Sequence, residues 1–330
     1  MDIVKLPGQI SRGMHLLRGA LHPDYADLLI PETYFTREGF EFQVYHPGGR
    51  ALRTVVLVYG MTILGEEDGH ITAFARACAS AGLRVIVPVL PGLKRYVVDS
   101  EDVFRLKKIL DTLLMDVDSK LGVVGLSTGG DYALLLASTP KYCEVFDPVI
   151  LLSPIYNLRE VFERVHALDA PNSQLKEDWD LYYWRQCILA YRNHLVLNIS
   201  DESEQKLQQL LGDFELTPLS KKRHFFEQYI APLNLLSRHD LLNEGTLLDQ
   251  LSIGGRLHNT TSPIYIMHGS SDPVVSPDHS RRIYAELARR GLGFKQKLLV
   301  TPWFSHVELQ TALNVKELLM ILYILGKLFD

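Results

Sequence analysis

The chain has 330 residues, of which 47% are hydrophobic and 22% are charged, a composition typical of globular proteins that bury a full core. Its formal net charge is -5, and acidic and basic residues are mixed along the chain. This charge pattern lacks the basic surface that binds polyanions, so we expect no nucleic-acid partner.

The three cysteines, Cys78, Cys143 and Cys187, are odd in number and far apart, which favours reduced thiols and a cytoplasmic location. The N-terminal residues lack the apolar segment of a signal peptide. The densest apolar run, at 318–325, is far below the roughly 20 residues of a membrane-spanning helix and predicts the buried face of a C-terminal helix. We expect no transmembrane segment, and a homodimer is compatible with the sequence.

The predicted elements begin with residues 34–47, which alternate polar and apolar around a Glu-Gly turn and indicate an antiparallel hairpin at a sheet edge. Almost continuously apolar runs follow, typical of parallel strands buried on both faces. These runs are 53–59, 84–88, 121–126, 149–153 and 263–268, with a weaker one at 295–300. Helix-length segments such as 101–115 separate them, which predicts an α/β fold with a mostly parallel sheet flanked by helices.

The alternation stops at residues 155–258, where no strand pattern occurs. We predict that this region is an inserted helical lid between the two parts of one core, residues 1–154 and 259–330. Aromatic residues concentrate in it, and we expect most of them to pack the helices together and some to face a ligand pocket. They are Trp179, Tyr182, Tyr183, Trp184, Tyr191, Phe214, Phe225, Phe226 and Tyr229.

Ser127 stands between glycines directly after the strand run 121–126. Ligands bind at the carboxyl ends of parallel strands, and flanking glycines permit the sharp strand-to-helix turn that exposes a nucleophile. A serine that only caps the helix is the alternative. Because a serine hydroxyl needs a base and the base needs an orienting carboxylate, the hypothesis requires two partners.

Both partners can be found after later strand runs. Asp272 lies in a Gly-Ser-Ser-Asp-Pro loop after the run 263–268, and His306 follows the run 295–300 through a Pro-Trp-Phe-Ser connection. The chain order Ser127, Asp272, His306, with each residue after a strand, is that of the α/β-hydrolases.

Along nearly its whole length the chain resembles the α/β-hydrolase superfamily, through VVLVYGM, GLSTGG, HGSSDPVV and FSH. The resemblance implies an oxyanion hole formed by the backbone N–H groups of Met61 and Thr128. Tyr59 occupies the position where the superfamily usually has a histidine. The resemblance also implies that no cofactor is needed.

Other chemical groups have simpler interpretations. We expect His279 and Asp278, the nearest alternative base and acid, to form a solvated helix end, and His268 to fill a structural slot below the site. The carboxylates and imidazole of residues 65–70 are contiguous, which disfavours a metal site and indicates a solvated loop. We therefore predict no metal.

The expected activity is hydrolysis of carboxylic esters with apolar acyl groups, through a Ser127–His306–Asp272 triad and an acyl-enzyme. The partner would be a small ester or acyl substrate. An acyltransferase or a carbon–carbon bond hydrolase could use the same triad, and a ligand receptor with a hydrolase fold is a further alternative.

Overall fold

The computed structural model describes residues 6–21, 30–37, 39–116, 120–166, 174, 176–197, 201–233, 245–292, 296–306 and 314–330. Its strands are β1 (Glu32–Arg37), β2 (Phe40–Tyr45), β3 (Arg53–Val58), β4 (Leu83–Pro88), β5 (Leu121–Leu126), β6 (Phe146–Leu152), β7 (Ile264–Gly269) and β8 (Gln296–Thr301). Its α-helices are α1 (Leu6–Leu21), α2 (Gly69–Ser80), α3 (Pro91–Lys94), α4 (Ser100–Asp116), α5 (Thr128–Ala137), α6 (Leu158–His166), α7 (Lys176–Leu197), α8 (Asp201–Leu216), α9 (Leu219–Phe225), α10 (Gly245–Leu251), α11 (Asp278–Leu287) and α12 (Val315–Gly326).

All eight strands form one sheet in the order β1-β2-β4-β3-β5-β6-β7-β8. The hairpin β1–β2 is antiparallel and joins β4 antiparallel, whereas the strands from β4 to β8 pair in parallel. The predicted edge hairpin and mostly parallel sheet are therefore confirmed. The central strands are mostly apolar and buried because helices cover both faces of a sheet of this kind.

The largest boundary difference from the sequence prediction occurs at β6, which begins three residues before the predicted run 149–153. Asp147 interrupts the apolar pattern there, although the chain is already paired with β5 at Phe146. Backbone pairing extends past a polar residue that the pattern treats as a boundary.

The C-terminal helix α12 has a buried apolar face, as the run 318–325 predicts, and it packs against α1. Gly13 permits a close approach of the two helices, since a Cβ at this position would lie 2.4 Å from the carbonyl oxygen of Leu322. Among the helices of the described ranges, none is long and apolar enough to cross a membrane.

Helices α6 to α10 lie between β6 and β7, and every regular element described within 155–258 is helical. Residues 167–173, 175, 198–200 and 234–244 of this region, and the side chain of Tyr191, lie outside the described part. The insertion contacts the core through Tyr183 of α7, whose ring packs edge-on against Tyr96 with 6.4 Å between centroids. Tyr96 lies between α3 and α4, in the connection that follows β4 from the carboxyl edge of the sheet.

Candidate active site

Ser127 lies at the turn between β5 and α5, with a backbone φ of 48° that is rare for a residue with a side chain. Close packing explains the neighbouring glycines. A Cβ on Gly129 would lie 2.1 Å from the Tyr59 carbonyl oxygen. One on Gly125 would lie 2.5 Å from the Cα of Gly130. The serine therefore carries the backbone strain, and the glycines let α5 begin directly against the ends of β3 and β5.

Three side chains from separate loops meet at this turn. The Ser127 hydroxyl lies 3.0 Å from His306 Nε2, and His306 Nδ1 lies 2.7 Å from Asp272 Oδ2. Since a carboxylate only accepts hydrogen bonds, Nδ1 carries the proton and Nε2 accepts the one from the serine hydroxyl. The structure thus brings the three predicted residues into one hydrogen-bond chain with the tautomer that a general base needs.

Asp272 is a buried carboxylate with several donors. Its Oδ1 accepts the backbone N–H groups of Val274 and Val275 at 2.9 and 2.8 Å. Burial raises the pKa of Asp272, but the opposing influence of His306 and His268 outweighs it and holds the pKa well below the usual range. The group therefore stays ionised and can stabilise a positive charge that forms on His306.

The loop that carries His306 is held by the ends of β6 and β7. Ser153, the residue after β6, donates its hydroxyl to the His306 carbonyl oxygen at 2.6 Å. Gly269 ends β7 so close to the loop that a Cβ there would lie 2.0 Å from the Ser305 carbonyl oxygen. Both contacts position the imidazole through its backbone, and only the folded sheet brings their partners together.

The predicted oxyanion donors lie beside the serine. Thr128 is the first residue of α5, where helix geometry leaves the backbone N–H without an intrahelical acceptor. Met61 follows Gly60, and a Cβ on Gly60 would lie 3.0 Å from Ser127 Cβ, so this backbone runs alongside the elbow. The Thr128 hydroxyl oxygen is buried without a partner.

Tyr59 has a contact that the sequence did not predict. Its buried hydroxyl accepts the backbone N–H of Leu90 at 2.7 Å and lies 3.4 Å from Glu66 Oε2. Glu66 in turn pairs with Lys94 at 3.0 Å. The expected solvated loop at 65–70 is thus wrong for Glu66, which is only 4% exposed and whose charge is paired with Lys94 of α3. These contacts fix the segment between Tyr59 and Glu66, which contains Met61.

His279 is buried at the start of α11, so the expected solvated helix end is wrong for this residue. Its Nδ1 accepts the backbone N–H groups of Tyr156 and Asn157 at 3.1 and 3.3 Å. Burial, together with the neighbouring Arg282, lowers its pKa to about 4. It therefore joins the start of the insertion to the core as a neutral acceptor, while Asp278 is exposed and pairs with Arg281.

His268 lies behind Asp272 and is completely buried, as the structural-slot interpretation predicts. The structure adds a contact of 3.2 Å between its Nε2 and Asp272 Oδ2. His268, near the end of β7, precedes Asp272 by four residues, and this spacing is the sequence signal that could have predicted the contact. Among the described residues, no group of three or more His, Cys, Asp or Glu side chains is arranged to hold a metal ion.

Strand order, the elbow and the chain order of the three hydrogen-bonded residues together decide the architecture. The chain has the α/β-hydrolase fold. No family model and no curated protein matches the sequence. The fold assignment therefore depends on the chain's own topology.

Solved structures of α/β-hydrolases overlap with the chain only loosely. An esterase from Pyrococcus furiosus is 14% identical, with a TM-score of 0.48, and the match covers 87% of this chain and 86% of the esterase. A meta-cleavage product hydrolase from Pseudomonas fluorescens is 19% identical, with a TM-score of 0.45 and coverage of 84% and 91%. An acylaminoacyl peptidase is 16% identical, with a TM-score of 0.48 over 84% of this chain, which spans 37% of the peptidase.

Proposed function

We propose that the protein is a serine hydrolase that cleaves carboxylic esters of small to medium apolar acyl groups. The observation that carries the proposal is the hydrogen-bond chain from the Ser127 hydroxyl through His306 to the buried carboxylate of Asp272. A serine at a strained turn with this pair behind it has the three groups that an activated nucleophile requires.

In the proposed reaction, Ser127 Oγ attacks the ester carbonyl carbon while His306 Nε2 takes the hydroxyl proton. Asp272 holds Nδ1 and stabilises the imidazolium. The tetrahedral intermediate then expels the alkoxide, which takes the proton from Nε2, and an acyl-enzyme remains. A water molecule repeats the sequence and releases the carboxylic acid and free Ser127.

We assign the developing oxyanion to the backbone N–H groups of Met61 and Thr128. Support comes from the free N–H at the start of α5 and from the contact of Gly60 with the elbow. Fixed backbone dipoles need no reorganisation during the reaction, so this hole would contribute much of the rate enhancement.

We further propose that residues 155–258 form a lid that shapes the acyl pocket. The Tyr96–Tyr183 contact supports this placement, because Tyr96 lies on a carboxyl-edge loop and Tyr183 on the insertion. Many of the aromatic rings pack against one another, as Trp179 does with Phe214, which favours an internal packing role for most of the set.

The decisive experiment is labelling with a fluorophosphonate probe, followed by peptide mapping and assays with p-nitrophenyl esters. We expect one labelled peptide, centred on Ser127, and no label in the Ser127→Ala variant. Ser270→Ala, which changes an exposed serine at the acid loop, is the matched control and should label normally. A label that persists in Ser127→Ala would disprove the assignment of the nucleophile.

The same triad could serve an acyltransferase or a carbon–carbon bond hydrolase, and a receptor could retain it without turnover. Product analysis separates the first two from ester hydrolysis, and a probe that labels Ser127 without any ester turnover would favour the receptor. Cys78, Cys143 and Cys187 form no disulfide, which supports a cytoplasmic location. Sedimentation would test for a homodimer.

A further inference from the structure

A second histidine, besides His306, contacts the carboxylate of Asp272. His268 is near the end of β7, is completely buried, and places Nε2 3.2 Å from Asp272 Oδ2. The same Oδ2 accepts the 2.7 Å hydrogen bond from His306 Nδ1. One carboxylate oxygen thus lies between two imidazoles.

The other contacts of His268 define where its proton lies. Nε2 also faces the carbonyl oxygen of Val275 at 2.9 Å. Both neighbours of Nε2 are acceptors, so Nε2 carries a hydrogen. That N–H is hydrogen-bonded to the Val275 carbonyl oxygen, and Asp272 Oδ2 lies beside it, 3.2 Å from the same nitrogen. Nδ1 lies 2.6 Å from the Ser280 hydroxyl, which donates to it in the neutral ring. His268 therefore presents the positively polarised N–H edge of its ring to Asp272 Oδ2.

We propose that His268 is a positioning residue that acts on His306 through Asp272, by fixing the carboxylate plane and drawing part of its charge away from His306. This inference rests on the proposed function of the Ser127, His306 and Asp272 chain. Its geometric basis is that His268 Nε2 lies 3.2 Å from Oδ2, the same oxygen that accepts the hydrogen bond from His306, while Oδ1 is held by two backbone donors.

A histidine that only filled space would be satisfied by the Val275 carbonyl and the Ser280 hydroxyl. The further contact with Oδ2 places the N–H edge of the ring beside the carboxylate that binds His306. Burial by itself would raise the pKa of Asp272. His306 and His268 both act against this and lower the pKa, in agreement with a favourable contact between His268 and the ionised carboxylate. Loss of that donor leaves a more concentrated negative charge beside His306.

The other titratable groups near this unit are His279, Arg282 and Asp278. His279 lies on α11 beside Ser280, and its pKa of about 4 keeps it neutral above pH 5. Arg282 is turned toward Glu160, which it binds at 2.6 Å, and Asp278 is exposed and pairs with Arg281. His279 therefore does not account for a pH effect above pH 5 that appears when His268 is substituted.

Two substitutions of His268 distinguish the role of its Nε2 donor from that of the rest of the imidazole ring. The amide nitrogen of His268→Gln can replace Nε2, whereas the shorter His268→Asn can reach Ser280 but not Asp272. We expect His268→Gln to keep kcat/KM within about threefold of the wild type and His268→Asn to lower kcat about tenfold. We also expect the acid limb of the kcat/KM profile of His268→Asn to move to higher pH by at least about half a unit, because a less neutralised Asp272 holds a proton on His306 more strongly.

His279→Asn is the matched control, since it changes a neighbouring buried histidine that has no bond to Asp272. It should lower the melting temperature and leave the acid limb in place. Equal losses in His268→Gln and His268→Asn, or an acid limb that does not move in His268→Asn, would overturn the inference.

A readout without turnover keeps this test separate from that of the proposed function. The His306 Nδ1 proton, observed by NMR in the resting protein, should shift downfield in His268→Asn and stay near its wild-type position in His268→Gln. An unchanged resonance in His268→Asn contradicts the role of His268 even in an active enzyme. Absence of label and ester turnover in the wild type would contradict only the proposed function.

Discussion

The carboxyl edge of the sheet and the helical insertion use buried polar groups in opposite ways. At the edge, the carboxylate of Asp272 is buried and has donors on both oxygens. In the insertion, Gln186 of α7 is completely buried, and neither atom of its amide has a partner. Aromatic contacts such as that of Trp179 with Tyr182 occur in the same helix.

This difference indicates what each region requires from its sequence. Hydrogen bonds are directional, so the edge fixes the positions of the atoms that we propose to react, and a small change there should cost activity. Apolar packing is not directional, so the insertion depends on volume and shape and should tolerate changes that keep both.

The sharpest test of the edge compares two buried or half-buried histidines that lie close to it. We expect His306→Ala to lower kcat/KM by at least about three orders of magnitude, because it removes the base, and His279→Ala to lower it less than about tenfold. Ester assays with both purified variants measure this. Comparable losses in the two variants would remove the distinction between a catalytic and a structural histidine.

The lid proposal predicts a chain-length optimum. If the insertion lines the acyl pocket, each buried methylene contributes up to about 0.8 kcal/mol, so two more carbons raise kcat/KM by about an order of magnitude. The measurement is a series of p-nitrophenyl esters from acetyl upward, in which kcat/KM should rise and then fall once the pocket is full. In a variant with a short linker in place of α6 to α10, we expect a flat profile while Ser127 still labels. A steady decline from acetyl would assign the insertion to packing alone.

Tyr59→Phe tests whether the edge depends on groups outside the hydrogen-bond chain. The change removes the hydroxyl that binds Leu90 N–H and Glu66, so the segment with Met61 should loosen and kcat should fall about tenfold with little change in KM. Steady-state kinetics decide this. If kcat is unchanged while the free energy of unfolding falls, the tyrosine stabilises the loop without organising the oxyanion hole.

Gln186→Leu tests whether the insertion depends on apolar packing rather than on polar contacts. Since the buried amide has no partner, an apolar side chain of similar size should raise the free energy of unfolding by about 1 to 2 kcal/mol and leave kcat/KM unchanged. Urea denaturation gives the value. Gln296→Leu is the matched control, because Gln296 in β8 is also buried without partners. A loss of activity only in Gln186→Leu would indicate that the insertion contributes a polar contact to the substrate.

The smallest effect concerns Asp131, in the first turn of α5. Its Oδ1 accepts Ile155 N–H at 2.7 Å, its Oδ2 has no partner, and burial raises its pKa well above the usual range. Because the pKa of Asp131 is raised in the folded state, the contribution of this group to stability is fully present below about pH 4 and is lost as pH rises through the folded-state pKa. Asp131→Asn keeps the acceptor and has no charge, so its melting temperature should gain on that of the wild type between pH 4 and 8. A constant difference would show that Asp131 does not change its protonation on unfolding.

Local sequence patterns predicted the sheet well because a strand buried on both faces must be apolar along its whole length. The same rule hid the true start of β6, where Asp147 lies inside a paired strand. The aromatic set predicted internal packing of the insertion, although one sequence could not tell which rings meet. Ring contacts such as Tyr183 with Phe214 depend on how the helices cross.

By itself, the sequence determined the order of the strands along the chain and the three residues that follow them, because each is marked by its position after an apolar run. Only the tertiary structure decided what lies beside those residues. His268 contacts Asp272, Ser153 holds the His306 carbonyl, and Tyr59 reaches Leu90. Most of these contacts join residues far apart in the chain, and a hydrogen bond depends on distance and direction in space, which a linear pattern does not encode.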